Sequence, residues 1–228
     1  MLALRKALSL GSKDGLWTPC SEPSLEAWYR IDTNIQLGTG SNVRVWGDSS
    51  PNGNDMSQST SGNQPTIADG VLTFDPDGPD FLSLTGDDIT LSDAFTIGVR
   101  LNIAAAGGVI VGDNTEDGEL IKVFSTTKIS VRIDNQTRVD LQLNSGSLIG
   151  SEAYMILARE ATSGVISLWW QGTKQTDTET MTGTANIDSI GVRKEDLNPF
   201  DGTIREIQIY SSTSDALITN VNNRLSIL

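Results

Sequence analysis

The sequence contains no histidine, so most hydrolytic mechanisms lose the group that would carry the proton. Ser-His-Asp triads, Cys-His dyads and histidine-rich zinc sites all depend on an imidazole ring. Ser125 and Lys128 match a Ser-x-x-Lys motif, but they lie in strand-like sequence without the companion motifs that activate such a serine. No complete Gly-x-Gly-x-x-Gly or Gly-x-x-x-x-Gly-Lys-Ser/Thr motif occurs, so nucleotide binding has no support. The residue types predict a protein that is not an enzyme.

Two loop stretches, residues 48–53 and 113–118, reproduce the first half of an EF-hand-like calcium loop. Both fail at position twelve, which is Ser59 in one and Phe124 in the other. Asp and Asn also form turns by bonding to their own backbone, so a turn without metal is the alternative. Calcium is the one cofactor that the sequence suggests. The candidate calcium ligands are Asp48, Asn52, Asp113 and Asp117.

The hairpin predicted between residues 154 and 170 ends in two adjacent tryptophans, Trp169 and Trp170. Neighbours in a strand point to opposite faces, so we expect one ring in the core and the other half-exposed. An exposed tryptophan can stack on a sugar ring or anchor a protein interface, although burial in a core is the more common role. These two residues are the candidate carbohydrate or interface platform.

The charge, the cysteine content and the absence of long apolar runs argue against further classes of protein. The chain has 16 basic and 29 acidic residues, a formal net charge of −13, which argues against nucleic-acid binding. A single cysteine, Cys20, rules out an internal disulfide framework. No apolar run approaches the ~20 residues of a membrane span, so we expect no membrane insertion.

The N-terminal segment differs from the rest, because residues 1–13 carry three basic side chains and no acidic one. The segment can form one or two turns of an amphipathic helix. So short a helix is unstable alone, and its leucines therefore need a partner surface. A frayed chain end is the alternative. We predict an arm and linker over residues 1–24, followed by one domain over residues 25–228. The candidate partner-binding residues are Leu2, Leu4, Arg5, Lys6, Leu8 and Leu10.

The spacing of apolar residues predicts an all-β domain with one helix. Residues 95–103 alternate between apolar and polar, which is typical of a strand with one face in the core and the other in water. The same alternation at 129–133 and 139–143 predicts a hairpin. A stripe that recurs every four residues predicts a C-terminal helix after a serine-rich cap: Leu217, Val221 and Leu225. Short, regularly spaced strands predict a mostly antiparallel sandwich of two sheets.

Five short motifs follow one another along the chain, at residues 46–55, 70–75, 95–97, 163–172 and 200–210. In this order they resemble the concanavalin A-like, laminin-G-type jelly-roll domains. The resemblance spans about residues 25–228. It implies two large, curved antiparallel sheets packed face to face, with a short helix after the last strand. It implies no single function, because this fold hosts lectins, glycosidases, adhesion modules and shells.

Glycosidases of that fold carry Glu-x-Asp-x-x-Glu on one strand, which brings the carboxylates to one cleft. No such spacing occurs here. One acidic group, formed by Glu116, Asp117 and Glu119, falls in a predicted loop, where we expect solvated side chains. The resemblance therefore favours the members of the fold that are not enzymes.

The first twelve residues are also similar to the starts of small virion proteins of environmental tailed phages that carry such a domain. That similarity implies a virion location, with other virion proteins, capsid or tail subunits, as partners. We therefore predict a non-enzymatic virion surface structural protein, a capsid decoration protein docked through its N-terminal arm. The alternative is a carbohydrate-binding adhesion module of a phage tail or fibre, whose partner is a host-surface glycan.

Overall fold

The computed structural model describes residues 17–114, 118–134, 136–193 and 196–228. These residues form nineteen strands and one α-helix, α1, which spans Asp215–Ser226. In chain order the strands are β1 (Leu25–Arg30), β2 (Ile35–Leu37), β3 (Val43–Trp46), β4 (Met56–Ser57), β5 (Thr66–Ala68), β6 (Val71–Phe74), β7 (Leu82–Leu84), β8 (Ile89–Leu91), β9 (Phe95–Ile103), β10 (Val109–Asp113), β11 (Gly118–Ser125), β12 (Lys128–Arg132), β13 (Val139–Gln142), β14 (Glu152–Arg159), β15 (Val165–Trp170), β16 (Thr173–Thr180), β17 (Ala185–Ile187), β18 (Ser189–Ile190) and β19 (Gly202–Tyr210).

The strands build two large sheets whose strand pairings are antiparallel. The helix-side sheet has the order β16-β15-β14-β9-β19-β6-β5, and β1 pairs with β19 as well. The open sheet has the order β13-β12-β11-β10-β18-β7-β4-β3-β2. Strands β8 and β17 form a separate two-stranded ribbon. This arrangement confirms the predicted two-sheet antiparallel sandwich.

A single apolar core lies between the two sheets. The apolar residues that alternate along β9 are all buried in it: Phe95, Ile97, Val99, Leu101 and Ile103. Side chains of the open sheet join the same core: Ile121, Val123, Ile129, Val131 and Leu141. Removal of this apolar surface from water is the main driving force for the fold.

The other face of β9 is covered by α1, which corrects the expectation that it lies in water. A Cβ atom added at Gly98 would lie 2.5 Å from a methyl carbon of Val221 and 3.0 Å from one of Leu225. The helix approaches the strand this closely because glycine has no side chain. Further along, Arg100 and Asn102 are half-buried. The alternation therefore identified the strand but not the helix that lies across it.

Helix α1 confirms the predicted C-terminal helix and its serine cap. The N–H of Leu217 donates to Ser214 Oγ at 3.1 Å, which satisfies one of the unpaired donors of the first turn. The predicted stripe is buried: Leu217, Val221 and Leu225. Among the described residues, no helix is both long enough and apolar enough to cross a membrane.

Candidate functional site

The first predicted calcium loop is held by hydrogen bonds to the carboxylate of Asp48. One oxygen, Oδ1, accepts the N–H of Trp28 at 2.9 Å and that of Ser50 at 2.7 Å. The other, Oδ2, accepts the hydroxyl of Ser50 and the N–H of Asn54 at 3.0 Å. Calcium at Asp48 stays a prediction, and an ion there would compete with four protein donors.

Asn52, the second candidate ligand in this loop, directs its side-chain nitrogen at strand β1. Its Nδ2 donates to the carbonyl oxygens of Leu25 at 2.8 Å and Glu26 at 3.0 Å. Asn54 Nδ2 also donates to the carbonyl of Glu26, at 2.8 Å. These amides fasten the loop to the helix-side sheet. Within the described ranges, no group of three or more acidic, cysteine or histidine residues is arranged to hold a metal ion.

Asp113, the third candidate ligand, lies at the end of β10 and is 2% exposed. It lies near two carboxylates that the sequence did not connect with it, those of Asp88 and Asp188. Burial raises the pKa of Asp188 above its ordinary value, and the charges of Asp113 and Asp88 raise it further. Asp188 Oδ1 accepts the N–H of Asn114. The fourth candidate, Asp117, lies outside the described residues.

Trp169 and Trp170 lie on opposite faces of the helix-side sheet, as expected for neighbours in a strand, and their role as a carbohydrate or interface platform stays a prediction. Trp170 packs against the core between the sheets. Trp169 packs on the helix side, where Lys174 Nζ lies 4.9 Å from its ring centroid. A cleft of about 280 Å³, the helix-side cleft, adjoins Trp169 and the start of α1. Two further tryptophans, Trp28 and Trp46, are buried.

A second cleft, of about 570 Å³, opens on the outer face of the open sheet. Strand alternation positions it, because the apolar residues of β11 and β12 enter the core and their neighbours point outward. Four of its lining residues are cationic: Lys122, Arg132, Arg138 and Arg193. The remaining described lining residues are polar or acidic: Gln136, Thr137, Asp140 and Asn198. We call this site the basic cleft.

Asn198 holds two of the cations in place. Its Oδ1 accepts hydrogen bonds from Lys122 Nζ at 3.1 Å and from Arg193 Nε at 2.7 Å. The Asn198 backbone has a φ of 53°, in the left-handed region that asparagine tolerates better than most residues. On another wall, Arg132 Nε donates to the carbonyl oxygen of Gln136 at 3.0 Å. The geometry therefore fixes guanidinium and ammonium groups around one space.

Phe124 provides an exposed apolar surface beside these cations. Its side chain is 41% exposed, and the guanidinium carbon of Arg138 lies 4.5 Å from its ring centroid. Asp140, the one acidic lining residue among those described, lies 3.9 Å from Arg138 Nε and 3.8 Å from Lys128 Nζ. The rim of the basic cleft thus combines an aromatic ring with a carboxylate bracketed by two cations.

The basic cleft was not among the sites predicted from the sequence. Arg132 and Arg138 flank the turn of a hairpin that the alternation predicted, so their outward positions were a usable signal. Arg193 and Asn198 come from the segment that precedes β19. Strand β19 belongs to the helix-side sheet and pairs with neither β11 nor β12. These two residues reach the cleft only in the folded chain, and no local sequence pattern predicts that contact.

The predicted docking arm is not placed by the structure. All of its candidate partner-binding residues lie outside the described residues: Leu2, Leu4, Arg5, Lys6, Leu8 and Leu10. Their role stays a prediction, as does the boundary between arm and domain. The first strand of the sandwich begins at Leu25.

No protein-family model matches the chain, and no curated protein matches it. Solved structures with a similar fold include domain 4 of an extracellular arabinanase from Geobacillus stearothermophilus, with a TM-score of 0.59 at 16% identity, covering 87% of this chain and 98% of that one. A Trypanosoma rangeli sialidase gives 0.57 at 12% identity, over 90% of this chain and 33% of the sialidase. The botulinum neurotoxin serotype C1 binding domain gives 0.55 at 13% identity, over 91% and 53%.

These likenesses, together with the strand order, decide the class of fold. The chain is a concanavalin A-like jelly-roll sandwich. At such low identity the likeness shows the fold alone, so the residues of the basic cleft have to carry any functional argument.

Proposed function

We propose that this jelly-roll sandwich is a non-catalytic carbohydrate-binding domain and that the basic cleft holds the glycan. The observation that carries the proposal is the cleft itself, a concave site on the outer face of a sheet with convergent hydrogen-bonding side chains. A sugar presents hydroxyl groups that both donate and accept. The cleft offers donors on its cations, both kinds of group on Gln136 and Thr137, and an acceptor on Asp140.

The exposed ring of Phe124 supports the same proposal. An aromatic face beside a polar cleft can stack on the apolar face of a pyranose or furanose ring. Arg138 lies against this ring at 4.5 Å, which holds the two side chains in a fixed relation at the rim. Hydrogen bonds from the cleft and stacking at its rim together give a surface suited to a short oligosaccharide.

The similar folds supply further support for a glycan ligand. The arabinanase domain was solved with arabinotriose, and the sialidase was solved with sialic acid. These ligands belong to those proteins, but they show that chains with this fold occur in complexes with saccharides. They favour the alternative predicted from the sequence, a carbohydrate-binding module, over the capsid decoration protein. The virion location stays a prediction, and a host-surface glycan as the ligand of a tail or fibre module is part of the proposal.

A glycan array followed by calorimetric titration of the full chain tests the proposal. The Arg132→Gln/Arg193→Gln double variant removes two cationic donors and is expected to weaken binding at least about tenfold, as lost charge-assisted hydrogen bonds do. Trp169→Ala, on the opposite face of the sandwich, is the control and should bind like wild type. Incubation with the same glycans should release no new reducing ends.

Three results would count against the proposal in different ways. Absence of binding to every glycan at millimolar concentration would contradict the function. Loss of binding in Trp169→Ala alone would move the site to the helix-side cleft. Glycan cleavage beyond stoichiometric amounts would show that the domain is an enzyme.

A further inference from the structure

One carboxylate oxygen of the basic cleft has no hydrogen-bond donor among the residues that the structure describes. Asp140 lines the cleft, and its Oδ1 is buried without a hydrogen-bond partner. Two cations lie at ion-pair distances, with Lys128 Nζ 3.8 Å from Oδ2 and Arg138 Nε 3.9 Å from Oδ1. An ionised carboxylate only accepts hydrogen bonds, so this oxygen gains free energy from a donor that reaches it.

Ser130, on the neighbouring strand β12, has an unpaired hydroxyl group. It is 0% exposed, and its Oγ has no hydrogen-bond partner among the described residues. Ile129 and Val131 point into the core, so Ser130 points to the outer face of the open sheet. The register between β12 and β13 places it directly opposite Asp140, a position at which the two Cβ atoms are about 5 Å apart. An unpaired hydroxyl group thus lies beside the unpaired carboxylate oxygen.

A second lining residue of the basic cleft keeps an acceptor. The Nε2 group of Gln136 donates to the carbonyl oxygen of Thr182 at 2.6 Å, which leaves its Oε1 as an acceptor. A saccharide whose hydroxyl groups are free can donate to Asp140 and Gln136, whereas one whose hydroxyl groups are methylated or esterified cannot. The lining therefore favours unsubstituted sugars.

We infer, building on the proposed function, that Asp140 determines the specificity of the basic cleft by accepting hydrogen bonds from two adjacent free hydroxyl groups of the sugar. The two oxygens of a carboxylate lie side by side, so they match hydroxyl groups on neighbouring ring carbons. Hydrogen bonds to a charged acceptor are roughly twice as strong as those between neutral groups, so this contact decides which sugars bind.

Ser130 is a positioning residue for this carboxylate. The χ2 torsion of an aspartate has broad energy minima, so a small rotation turns Oδ1 of Asp140 towards the cleft. The hydroxyl group of Ser130 donates to the turned carboxylate and holds it in the binding orientation. Each carboxylate oxygen accepts more than one hydrogen bond, so Asp140 bonds to Ser130 and to the sugar at once. Ser130 itself is buried and does not touch the sugar.

Matched methyl glycosides test the inference with the full chain. The probes are the methyl pyranosides of arabinose, galactose, glucose and mannose, each beside its 3-deoxy form, titrated by NMR. The 3-hydroxyl belongs to both adjacent pairs on a pyranoside ring, so its removal breaks either pair. We expect at least one glycoside to bind at least about tenfold more tightly than its 3-deoxy form, because the lost hydrogen bond is charge-assisted.

Two variants locate this preference for the parent glycoside. Asp140→Asn keeps the shape of the side chain and removes its charge and one acceptor. It should bind the parent at least about tenfold more weakly and the 3-deoxy form almost unchanged, so that the preference disappears. Ser130→Ala should reduce the preference by a smaller factor, because the carboxylate loses the donor that orients it. A purely structural defect would weaken both members of a pair equally and leave their ratio unchanged.

Two control variants separate this contact from overall charge and from the ion pairs of Asp140. Asp77→Asn makes the same change at an exposed position outside the basic cleft and should keep the preference. Lys128→Gln removes a cation beside Asp140 but leaves the acceptor in place, so it should keep the preference as well. Thermal unfolding establishes that each variant is folded before titration.

The outcomes separate the inference from the function on which it rests. If Arg132→Gln/Arg193→Gln weakens binding but Asp140→Asn keeps the preference, the cleft binds carbohydrate and the inference about Asp140 is wrong. If the 3-deoxy forms bind as tightly as their parents, the adjacent hydroxyl pair is not recognised and the inference is wrong. An unchanged preference in Ser130→Ala would contradict its positioning role. If no glycoside binds, the function and the inference both fail.

Discussion

The two outer faces of the sandwich use charged side chains in different arrangements. Under α1, the guanidinium of Arg224 donates to both carboxylate oxygens of Glu206, at 3.1 and 2.7 Å. Gln208 also donates to Glu206, at 2.7 Å, and the Tyr210 hydroxyl donates to Gln208 at 2.6 Å. This network of hydrogen bonds joins a cation to an anion, and its members on β19 are buried: Glu206, Gln208 and Tyr210.

On the open sheet, the corresponding hydrogen bonds join two cations to one neutral oxygen. Lys122 and Arg193 meet at Asn198, and the space in front of them is an open cleft. An ion pair enclosed by the fold stabilises the structure that contains it, whereas donors that line an open cleft can also reach a ligand. Under the proposed function, the enclosed helix-side network serves stability and the open basic cleft serves binding.

The largest expected effect is the loss of stability in Arg224→Leu. The change leaves the carboxylate of Glu206, which is 1% exposed, without its guanidinium partner. Breaking a buried ion pair by removing one partner lowers the free energy of unfolding by about 3 kcal/mol. Denaturant titration of wild type and variant measures this difference.

A double variant provides the control for that experiment. Glu206→Gln combined with Arg224→Leu removes the stranded charge as well, so it should recover part of the lost free energy. A loss below about 1 kcal/mol in Arg224→Leu would show that the pair behaves like an exposed surface ion pair. The distinction between the two faces would then fail.

Gly98→Ala is expected to have the next largest effect. The added methyl would lie 2.5 Å from Val221 and 3.0 Å from Leu225, so the helix would have to shift away from β9. Overpacking of this kind lowers the free energy of unfolding by about 1–3 kcal/mol. Gly86→Ala, at a site with no neighbouring atom within 4 Å, is the matched control and should change stability little. Equal effects in both variants would contradict close packing of the helix.

A third prediction concerns Asp80, in the connection between the two sheets. Burial raises the pKa of its carboxyl from 3.8 to about 6, and the charge of Asp75 contributes to the rise. The folded protein thus holds this proton more tightly than the unfolded chain. Stability from this group should fall as pH rises from about 4 to about 6 and stay low above that range.

Asp80→Asn tests this pH dependence. The carboxamide oxygen can still accept the N–H of Asp75, which lies 3.0 Å from the carboxylate in the wild type, but the group cannot ionise. The variant should gain stability relative to wild type as pH rises from 4 to 7, as measured by melting temperature. Asp77→Asn changes charge at an exposed position nearby and is the control. Parallel profiles for wild type and Asp80→Asn would contradict the prediction.

The fold could be predicted from sequence because its signals are local. Alternation in residues 95–103 placed a strand, and the stripe through Val221 placed a helix. The contact between β9 and α1 was not predicted, because the sequence near Gly98 does not show that a helix more than 100 residues further along the chain packs on this strand. Glycine at an otherwise alternating position was a signal of close approach.

The candidate site was less predictable for a related reason. The outward cations of β11 and β12 follow from alternation, but the side chains of Arg193 and Asn198 complete the cleft only after the chain folds. The calcium hypothesis was based on Asp and Asn residues that also form turns. In the structure, Asp48 and Asn52 make hydrogen bonds to protein groups. Local patterns locate elements, whereas a binding cleft depends on contacts between distant segments.

The smallest expected effect on stability is that of Arg138→Gln in the basic cleft. Arg138 lies 3.9 Å from Asp140, with 37% and 29% of the two side chains exposed, and its guanidinium rests on the Phe124 ring. Exposed ion pairs and cation–π contacts each contribute about 1 kcal/mol or less, so the loss of both should lower the free energy of unfolding by less than about 2 kcal/mol. Denaturant titration beside Arg224→Leu gives the comparison directly. If Arg138→Gln destabilises the protein as much as Arg224→Leu, the cations of the open face are part of the folding energetics, and their convergence no longer supports a binding role.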